Sequence, residues 1–251
     1  MLQPEQKHPD VLHLKSNHRH RRKSLNPVTP SLPPTFFEEG YLLISGFLGE
    51  AAVKAARLEC ERLAHQHKQT CIRNLRSKSK QFHQLALDGK SRLIQNTDYR
   101  PVRSILFDKT GKQNWPVAWH QDLTIAVSDQ HDIPGYGPWS TKDEVIHVQP
   151  PVDLLAHMVT FRIHLDPTPA SNGALKVIPG SHRLGRIPSS EVSDLKKNNP
   201  VTCECHPGDL LLMSPLILHS SPRSESPGHR RVLHFEFAPD TALHPNLTWH
   251  E

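Results

Sequence analysis

"NWPVAWHQDLTIAV" (residues 114–127) is the stretch from which the fold of this chain can first be read. An apolar run surrounds a polar centre of His120, Gln121 and Asp122. On a β-strand, residues i and i+2 point to the same face. A strand over 117–127 therefore predicts an imidazole and a carboxylate aimed at one point, with Gln121 turned the other way. An ionised carboxylate in apolar surroundings needs an Arg partner or a metal ion, and both alternatives stay open here.

Short β-type runs continue on both sides of this stretch, between loops rich in Pro and Gly. The chain contains 23 Pro and only 36% apolar residues, which favours short strands over a helical bundle. Repeated short strands predict a sandwich or a barrel. The predicted strands cover 102–107, 117–127, 154–165, 174–179, 201–205, 209–214, 216–221 and 231–238. Residues 128–151 show little strand pattern, so they predict a long loop; a loop of this length is usually functional or disordered, and this one could form a lid over a substrate site or be an ordinary loop.

The N-terminal part has a different character. Residues 49–68 are rich in Ala, Leu, Glu and Arg at helical spacing and predict a helix, and 78–88 predict a shorter one. Residues 1–34 hold six Lys/Arg against two Asp/Glu, which is +4 of the chain's net charge of +5. We expect 1–34 to be a basic, flexible tail, because it lacks the apolar residues for a core, and 35–251 to be a single domain.

Several classes of protein are disfavoured by composition. The basic charge lies in the tail and not on a folded face, so we expect no nucleic-acid partner. No apolar run is long enough to span a membrane, and the polar start is not that of a secretory signal. The four cysteines form no CxxC pair, which predicts reduced thiols in a cytoplasmic protein. A metal site at "CECH" (203–206) is disfavoured, because successive residues of a strand face opposite sides.

A third metal ligand is available about a hundred residues after His120. "GDLLLMSPLILH" (208–219) ends in His219, and a lone His in such an apolar run is more often a core residue. Arg230 follows eleven residues later and opens another predicted strand, where its permanent charge needs an anion. Two His and one carboxylate form the facial triad of non-haem Fe(II) oxygenases. An Arg beside such a triad can hold a dicarboxylate by a bidentate pair.

At this point the sequence resembles the phytanoyl-CoA dioxygenase (PhyH) family of Fe(II)- and 2-oxoglutarate-dependent dioxygenases. The resemblance covers most of residues 35–240, and the order of the motifs makes it specific. The matching segments are "FFEEGYLLISGFL" (36–48), "WHQD" (119–122), "RIHLDPTPASNGALKVIPGSHRLG" (162–185), "HPGDLLLMSPLILHSS" (206–221) and "RRVLHFEF" (230–237).

The resemblance implies a mainly β fold with flanking helices, the double-stranded β-helix (a cupin-like jelly roll). It implies that His120, Asp122 and His219 bind Fe(II), and that Arg230 and Ser221 contact the far carboxylate of 2-oxoglutarate. The cofactors would be Fe(II), the co-substrate 2-oxoglutarate and O2, and the products would include succinate and CO2. Halogenases of this general type lack the carboxylate, so Asp122 favours a hydroxylase; desaturation, epoxidation and ring formation stay open.

Two other functions compete with this interpretation. A zinc-dependent hydrolase also uses two His and one Asp, although it has no need for a co-substrate clamp such as Arg230. A non-catalytic jelly roll that binds a metal or a sugar would not require the triad together with the Arg.

The substrate is less well indicated than the reaction. We expect a small polar metabolite, since no basic cluster in the predicted domain suggests a site for CoA phosphates. The oligomeric state stays open. Five residues are candidates for substrate contacts, with a structural ion pair or an ordinary loop as the alternative for each: Arg103, Trp139, His147, Gln149 and Arg162.

Overall fold

The computed structural model describes residues 32–197, 199–225 and 228–251. The predicted tail at 1–34 therefore lies almost entirely outside the described residues. Folded packing has begun by Leu32, which is buried, and the first helix starts at Pro34. Within the described ranges, no helix is both long and apolar enough to cross a bilayer.

Within the described residues, six α-helices flank the sheets. They are α1 (Pro34–Glu39), α2 (Glu50–His67), α3 (Leu75–Lys78), α4 (Lys80–Leu93), α5 (Val152–His157) and α6 (Val192–Leu195). The predicted helix over 49–68 is confirmed as α2, which buries Val53, Ala56 and Leu63 along one face. The predicted helix over 78–88 corresponds to α4, which starts two residues later and runs on to Leu93, and the short helix α3 precedes it. Ser79 separates them and caps α4 by accepting a hydrogen bond from a backbone N–H of its first turn.

Thirteen strands form the sheets of the described fold. They are β1 (Tyr41–Ile44), β2 (Cys71–Arg73), β3 (Tyr99–Lys109), β4 (Val117–His120), β5 (Ile125–Val127), β6 (Trp139–Lys142), β7 (Val145–Val148), β8 (Val159–His164), β9 (Leu175–Val177), β10 (Val201–Cys203), β11 (Leu210–Met213), β12 (His219–Ser221) and β13 (Arg230–Pro239). The large sheet has the order β1-β11-β8-β13-β3-β2, and the smaller sheets have the orders β10-β9-β12-β4 and β5-β7-β6. All pairs are antiparallel, and the predicted double-stranded β-helix is confirmed.

Successive side chains of β13 alternate between the two faces of the large sheet. Leu233, Phe235 and Phe237 are fully buried in the core beneath α2 and α4. The intervening His234 and Glu236 face a cavity between the sheets. The same strand therefore supplies both the helix-side core and one wall of the cavity.

Two strand predictions were wrong in ways that affect the cavity. Residues 117–127 are not one strand, because β4 ends at His120 and β5 begins at Ile125. The chain turns between them, where the backbone N–H of Asp122 donates to the carbonyl of Pro215 at 2.9 Å. Residues 154–165 begin as helix and become strand only at Val159, since Pro151 starts α5 just before them.

The interpretation of 128–151 as a loop without strands was also wrong. It contains a hairpin of β6 and β7, which we call the β6–β7 hairpin. Its two tip residues, Asp143 and Glu144, both have positive φ, the conformation that a two-residue hairpin turn requires. The strand "WSTK" is largely polar and has no apolar alternation, which is why the sequence pattern did not reveal it.

Candidate active site

Pairing of β4 with β12 brings two histidines side by side. His120 lies directly opposite His219 in the register, and their ring centroids are 4.2 Å apart. His120 Nε2 lies 3.6 Å from one carboxylate oxygen of Asp122, and His219 Nε2 lies 3.8 Å from the other. One ligand atom from each of the three residues falls within 4.8 Å of the others. The spacing predicted on a strand is thus achieved although Asp122 lies in a turn.

Backbone carbonyls fix the orientation of both imidazoles. His120 Nδ1 lies 2.8 Å from the carbonyl of Ala118, and His219 Nδ1 lies 2.9 Å from that of Ile217. A proton on each Nδ1 satisfies these contacts and leaves the lone pair of Nε2 directed at Asp122. This is the arrangement in which a protein prepares histidines to bind a metal.

The protonation states of the site also suit a metal. Burial lowers the pKa of His219 to about 4, so this imidazole is neutral at physiological pH. Burial alone would raise the pKa of Asp122, but the neighbouring His219 and His120 outweigh it and hold the pKa well below its usual range. Neutral imidazole and ionised carboxylate are the forms that bind a divalent ion. Burial lowers the pKa of His120, but the hydrogen bond to Asp122 and the charge of its carboxylate outweigh burial and raise it, so a metal ion that binds here displaces a proton from this imidazole. With that proton released, the three residues fit the facial triad of an Fe(II) site.

Gln121 lies between two of these residues, but its side chain is used elsewhere. Its amide nitrogen donates to the carbonyls of Gly185 and Leu216 at 2.7 and 2.6 Å, and its oxygen accepts from the backbone N–H of Ile187 at 2.8 Å. These bonds tie the turn after β4 to two distant loops. Gln121 thus holds the position of the neighbouring ligands.

A second group of polar residues surrounds Ser221, which lies two positions beyond His219. Ser221 accepts hydrogen bonds from Arg230 Nη1 at 2.9 Å and from Lys109 Nζ at 3.0 Å. Arg230 Nη1 also donates to the carbonyl of Gly173. We call Lys109, Ser221 and Arg230 the inner cluster; all three are buried.

The inner cluster is short of negative charge. Among the described residues, no carboxylate lies within ion-pair distance of Lys109 or Arg230, and Arg230 Nε has no hydrogen-bond partner. Burial, with Arg230 and Arg162 nearby, lowers the pKa of Lys109 to about 7. Burial and Arg162 lower the pKa of Arg230 to about 10. Buried cations of this kind call for an anionic ligand.

A chain of hydrogen bonds crosses the cavity floor. Arg162 Nη1 lies 3.1 Å from His234 Nδ1, and His234 Nε2 lies 3.0 Å from Glu236. Arg103 Nη1 then donates to Glu236 and to the carbonyl of Thr124, both at 3.2 Å. Because an Arg can only donate, His234 accepts at Nδ1 and donates through Nε2 to Glu236. His234 and Glu236 also approach Asp122, but these bonds already occupy them as a structural network.

The metal ligands and both of these groups open onto one cavity of about 460 Å³. Three of the five predicted substrate residues line it: Arg103, Gln149 and Arg162. The other two do not. Trp139 packs against an apolar cluster, and His147 is buried in β7 with its Nδ1 on the carbonyl of Val145.

Sequence reasoning missed eight polar or aromatic lining residues. They are Arg73, Phe107, Lys109, Trp115, Thr124, Lys142, His234 and Glu236. Three of the polar ones left a usable signal, because Lys109 continues the alternation of Arg103 along β3, and His234 and Glu236 alternate along the strand predicted over 231–238. Arg73 and Lys142 lie in strands that were not predicted. The expectation of no basic cluster in the domain was wrong for this reason.

The "CECH" segment, in contrast, is structural. Cys203 and Cys205 are buried, and neither belongs to any metal-ligand group among the described residues. Burial raises the pKa of both thiols to about 12, so they stay protonated.

Comparison with known proteins gives the family. The family model described as phytanoyl-CoA dioxygenase (PhyH) matches residues 36–232. No curated protein sequence matches the chain.

Solved structures share the fold at low sequence identity. The epimerase SnoN from nogalamycin biosynthesis, described as non-heme and alpha ketoglutarate dependent, superposes with a TM-score of 0.60 at 18% identity, covering 81% of this chain and 79% of SnoN. HygX from Streptomyces hygroscopicus, with nickel and 2-oxoglutarate bound, gives 0.56 at 19% identity, over 81% and 84%. EctD from S. alaskensis, in its apo form, gives 0.63 at 17% identity, over 86% and 82%.

Proposed function

Because the chain belongs to the phytanoyl-CoA dioxygenase family and is an Fe(II)- and 2-oxoglutarate-dependent oxygenase, we propose that it hydroxylates an unactivated C–H bond of a small polar metabolite. One observation carries the proposal: the facial triad and the inner cluster open onto the same cavity. A metal site with an anion site beside it is what an oxygenase with a dicarboxylate co-substrate needs.

His120, Asp122 and His219 would hold the iron, with the Nδ1 contacts of the two imidazoles keeping their Nε2 atoms in place. Bound iron and 2-oxoglutarate supply the oxidising chemistry, in which O2 is reduced while the co-substrate becomes succinate and CO2. The contribution of the protein is to orient the groups and keep the site dry.

The inner cluster would bind the far carboxylate of 2-oxoglutarate. Ser221 follows His219 by two residues, so it lies on the same side of β12 at about 6–7 Å along the strand. That separation is comparable to the span of a five-carbon dicarboxylate. The carboxylate would satisfy the unpaired Nε of Arg230 and the charge of Lys109. Lys109 was not foreseen from sequence, and it is proposed here as a further co-substrate contact.

The intact carboxylate of Asp122 favours hydroxylation over halogenation, while desaturation, epoxidation and ring formation would use the same three ligands. Ile105, Phe107 and Leu123 line the cavity beside the triad, where they would exclude water from the reacting carbon. SnoN shows by its description as an epimerase that this fold also carries other reactions. Product analysis therefore has to decide between an added oxygen atom and a rearranged carbon.

A zinc hydrolase would use the same three ligands, but it gives no role to the inner cluster. Two buried cations without an acidic partner among the described residues would only destabilise such an enzyme.

The test compares Asp122→Ala with the matched control Asp194→Ala, a change on the exposed helix α6. Anaerobic wild-type protein with Fe(II) and 2-oxoglutarate should show a visible charge-transfer band and should form succinate in air. Asp122→Ala should lose the band and bind iron at least about 10-fold more weakly, while the control behaves as wild type. A normal band in Asp122→Ala would refute the ligand assignment. Zinc-dependent hydrolysis without the band would favour the hydrolase.

A further inference from the structure

We propose that the substrate carries a carboxylate, which Lys142 binds at the mouth of the cavity with Arg73 and Arg103 beside it. This inference rests on the proposed function, because it assigns the substrate class of the same cavity. We call these three residues the mouth cluster.

The mouth cluster and the inner cluster lie at opposite ends of one row of side chains on β3. Arg103, Ile105, Phe107 and Lys109 all line the cavity, and we call them the β3 row. The six residue steps from Arg103 to Lys109 span about 20 Å along a strand. The two ends of the β3 row thus lie too far apart for one carboxylate to contact both.

Exposure identifies which end of the β3 row is the entrance. Lys109 is 1% exposed and lies in the interior. The side chains of Arg103 and Arg73 are 13% and 25% exposed, and Lys142 is exposed at the edge of the β6–β7 hairpin. Substrate would therefore pass the mouth cluster on its way to the triad.

Three elements far apart in the chain bring their cations to this place. Arg73 comes from β2, Arg103 from β3 and Lys142 from β6. All three side chains line the same cavity. Burial, followed by the charges of Arg103 and Arg73, lowers the pKa of Lys142, as expected for neighbouring cations. Grouping like charges costs stability, so we expect a compensating ligand.

Charge pairing leaves one cation over in the mouth cluster. Arg73 pairs with Asp143 at 2.7 Å, and Arg103 pairs with Glu236 at 3.2 Å. For Lys142, the described part of the chain offers no carboxylate within 4.0 Å and no hydrogen-bond acceptor. A single uncompensated positive charge matches a carboxylate better than a doubly charged phosphate.

The whole cavity supports the same conclusion. Its lining has six Lys or Arg residues against two acidic ones, Asp122 and Glu236, and Asp143 pairs with Arg73 from outside the lining, so the cations still outnumber the carboxylates. Bound Fe(II) and the dianion of 2-oxoglutarate would cancel each other. The excess of positive charge then remains for the substrate to neutralise.

The experiment uses benzoate and benzamide, which share one shape and differ in charge. Mn(II) replaces iron in the full-length protein, 2-oxoglutarate is kept at saturation so that the inner cluster is filled, and paramagnetic broadening of the ring protons reports binding in the cavity. Wild type is compared with Lys142→Gln and with the matched control Lys54→Gln on the outer face of α2. We expect benzoate to bind more tightly than benzamide, and Lys142→Gln to weaken benzoate about fivefold while leaving benzamide unchanged.

Equal binding of the two probes, no binding of either, or unchanged benzoate binding in Lys142→Gln would overturn the inference. Tighter binding of phenyl phosphate than of benzoate would overturn the choice of a carboxylate. The Fe(II)–2-oxoglutarate charge-transfer band is recorded separately, on Fe(II)-loaded anaerobic samples of the same protein variants. A normal band with a failed probe test refutes only the substrate class, whereas a missing band refutes the proposed function.

Discussion

We predict that 2-oxoglutarate binding is coupled to proton uptake by Lys109, because burial disfavours the charged form of this side chain until an anion binds beside it. Its pKa is lowered from 10.5 to about 7 by burial and by the neighbouring Arg230 and Arg162. A carboxylate bound at the inner cluster would restore much of the normal pKa. The pKa is then higher in the complex than in the free protein, so binding takes up a proton wherever the pH lies between the two values.

The size of the effect follows from the pKa of the free protein. At pH 8 only about a tenth of Lys109 is charged before binding, so about 0.9 proton should be taken up; at pH 6 the figure is about 0.1. The Kd for 2-oxoglutarate should rise by up to about tenfold per pH unit between pH 7.5 and 9, because each binding event takes up a proton and the proton concentration falls tenfold per unit.

Isothermal titration calorimetry in buffers of different ionisation enthalpy measures this uptake directly. Anaerobic Fe(II)-loaded wild type is compared with Lys109→Met, which keeps the length of the side chain without its charge, and with the exposed control Lys112→Met. Lys109→Met should bind 2-oxoglutarate more weakly and lose the pH-dependent uptake. Should Lys109→Met show the same uptake as wild type, the proton would belong to another group and the reasoning would be refuted.

Two further predictions concern the supports of the site. Gly173 has φ +68°, and an added Cβ would lie 2.7 Å from a backbone oxygen and 3.3 Å from Arg230 Nη1. Gly173→Ala should therefore lower the free energy of unfolding by about 1–3 kcal/mol, measured by urea unfolding, and weaken 2-oxoglutarate binding, measured by calorimetry. An unchanged Kd would contradict this prediction. Asp166 accepts three bonds of 2.8 Å from Arg231, and both are buried, so Asp166→Asn should cost about 3 kcal/mol in urea unfolding, against less than about 0.5 for the exposed Asp194→Asn. A loss below 1 kcal/mol for Asp166→Asn would show that the pair contributes little.

The sequence was most informative where function demands unusual residues. His219 inside an apolar run and Arg230 at the start of a strand are costly placements, and that cost is what pointed to a metal and an anion. The turn at Asp122 could not be foreseen, because it depends on a hydrogen bond to Pro215, which lies 93 residues away. Even so, a side chain just past the end of β4 reaches the same point as one on the strand.

The mouth of the cavity was hidden for a different reason. Lys142 belongs to a hairpin whose strands are polar, and Asp143 and Glu144 are not the Gly or Asn residues that usually announce such a turn. Arg73 lies in a strand of only three residues. Periodicity needs a longer run than either element provides, so their meeting is visible only in three dimensions.

The β3 row has a consequence for how this enzyme could acquire new substrates. A shift of β3 by one residue would turn Arg103 and Lys109 away from the cavity together, and would disrupt its pairing with β13 along ten register positions. The positions of Arg103 and Lys109 in the cavity are therefore fixed by strand pairing, and evolution cannot change their separation gradually. The β6–β7 hairpin carries no such constraint, because its tip can change length or sequence without moving the triad. Laboratory evolution toward longer, shorter or uncharged substrates should accordingly accumulate changes in residues 139–148 and leave the β3 row intact.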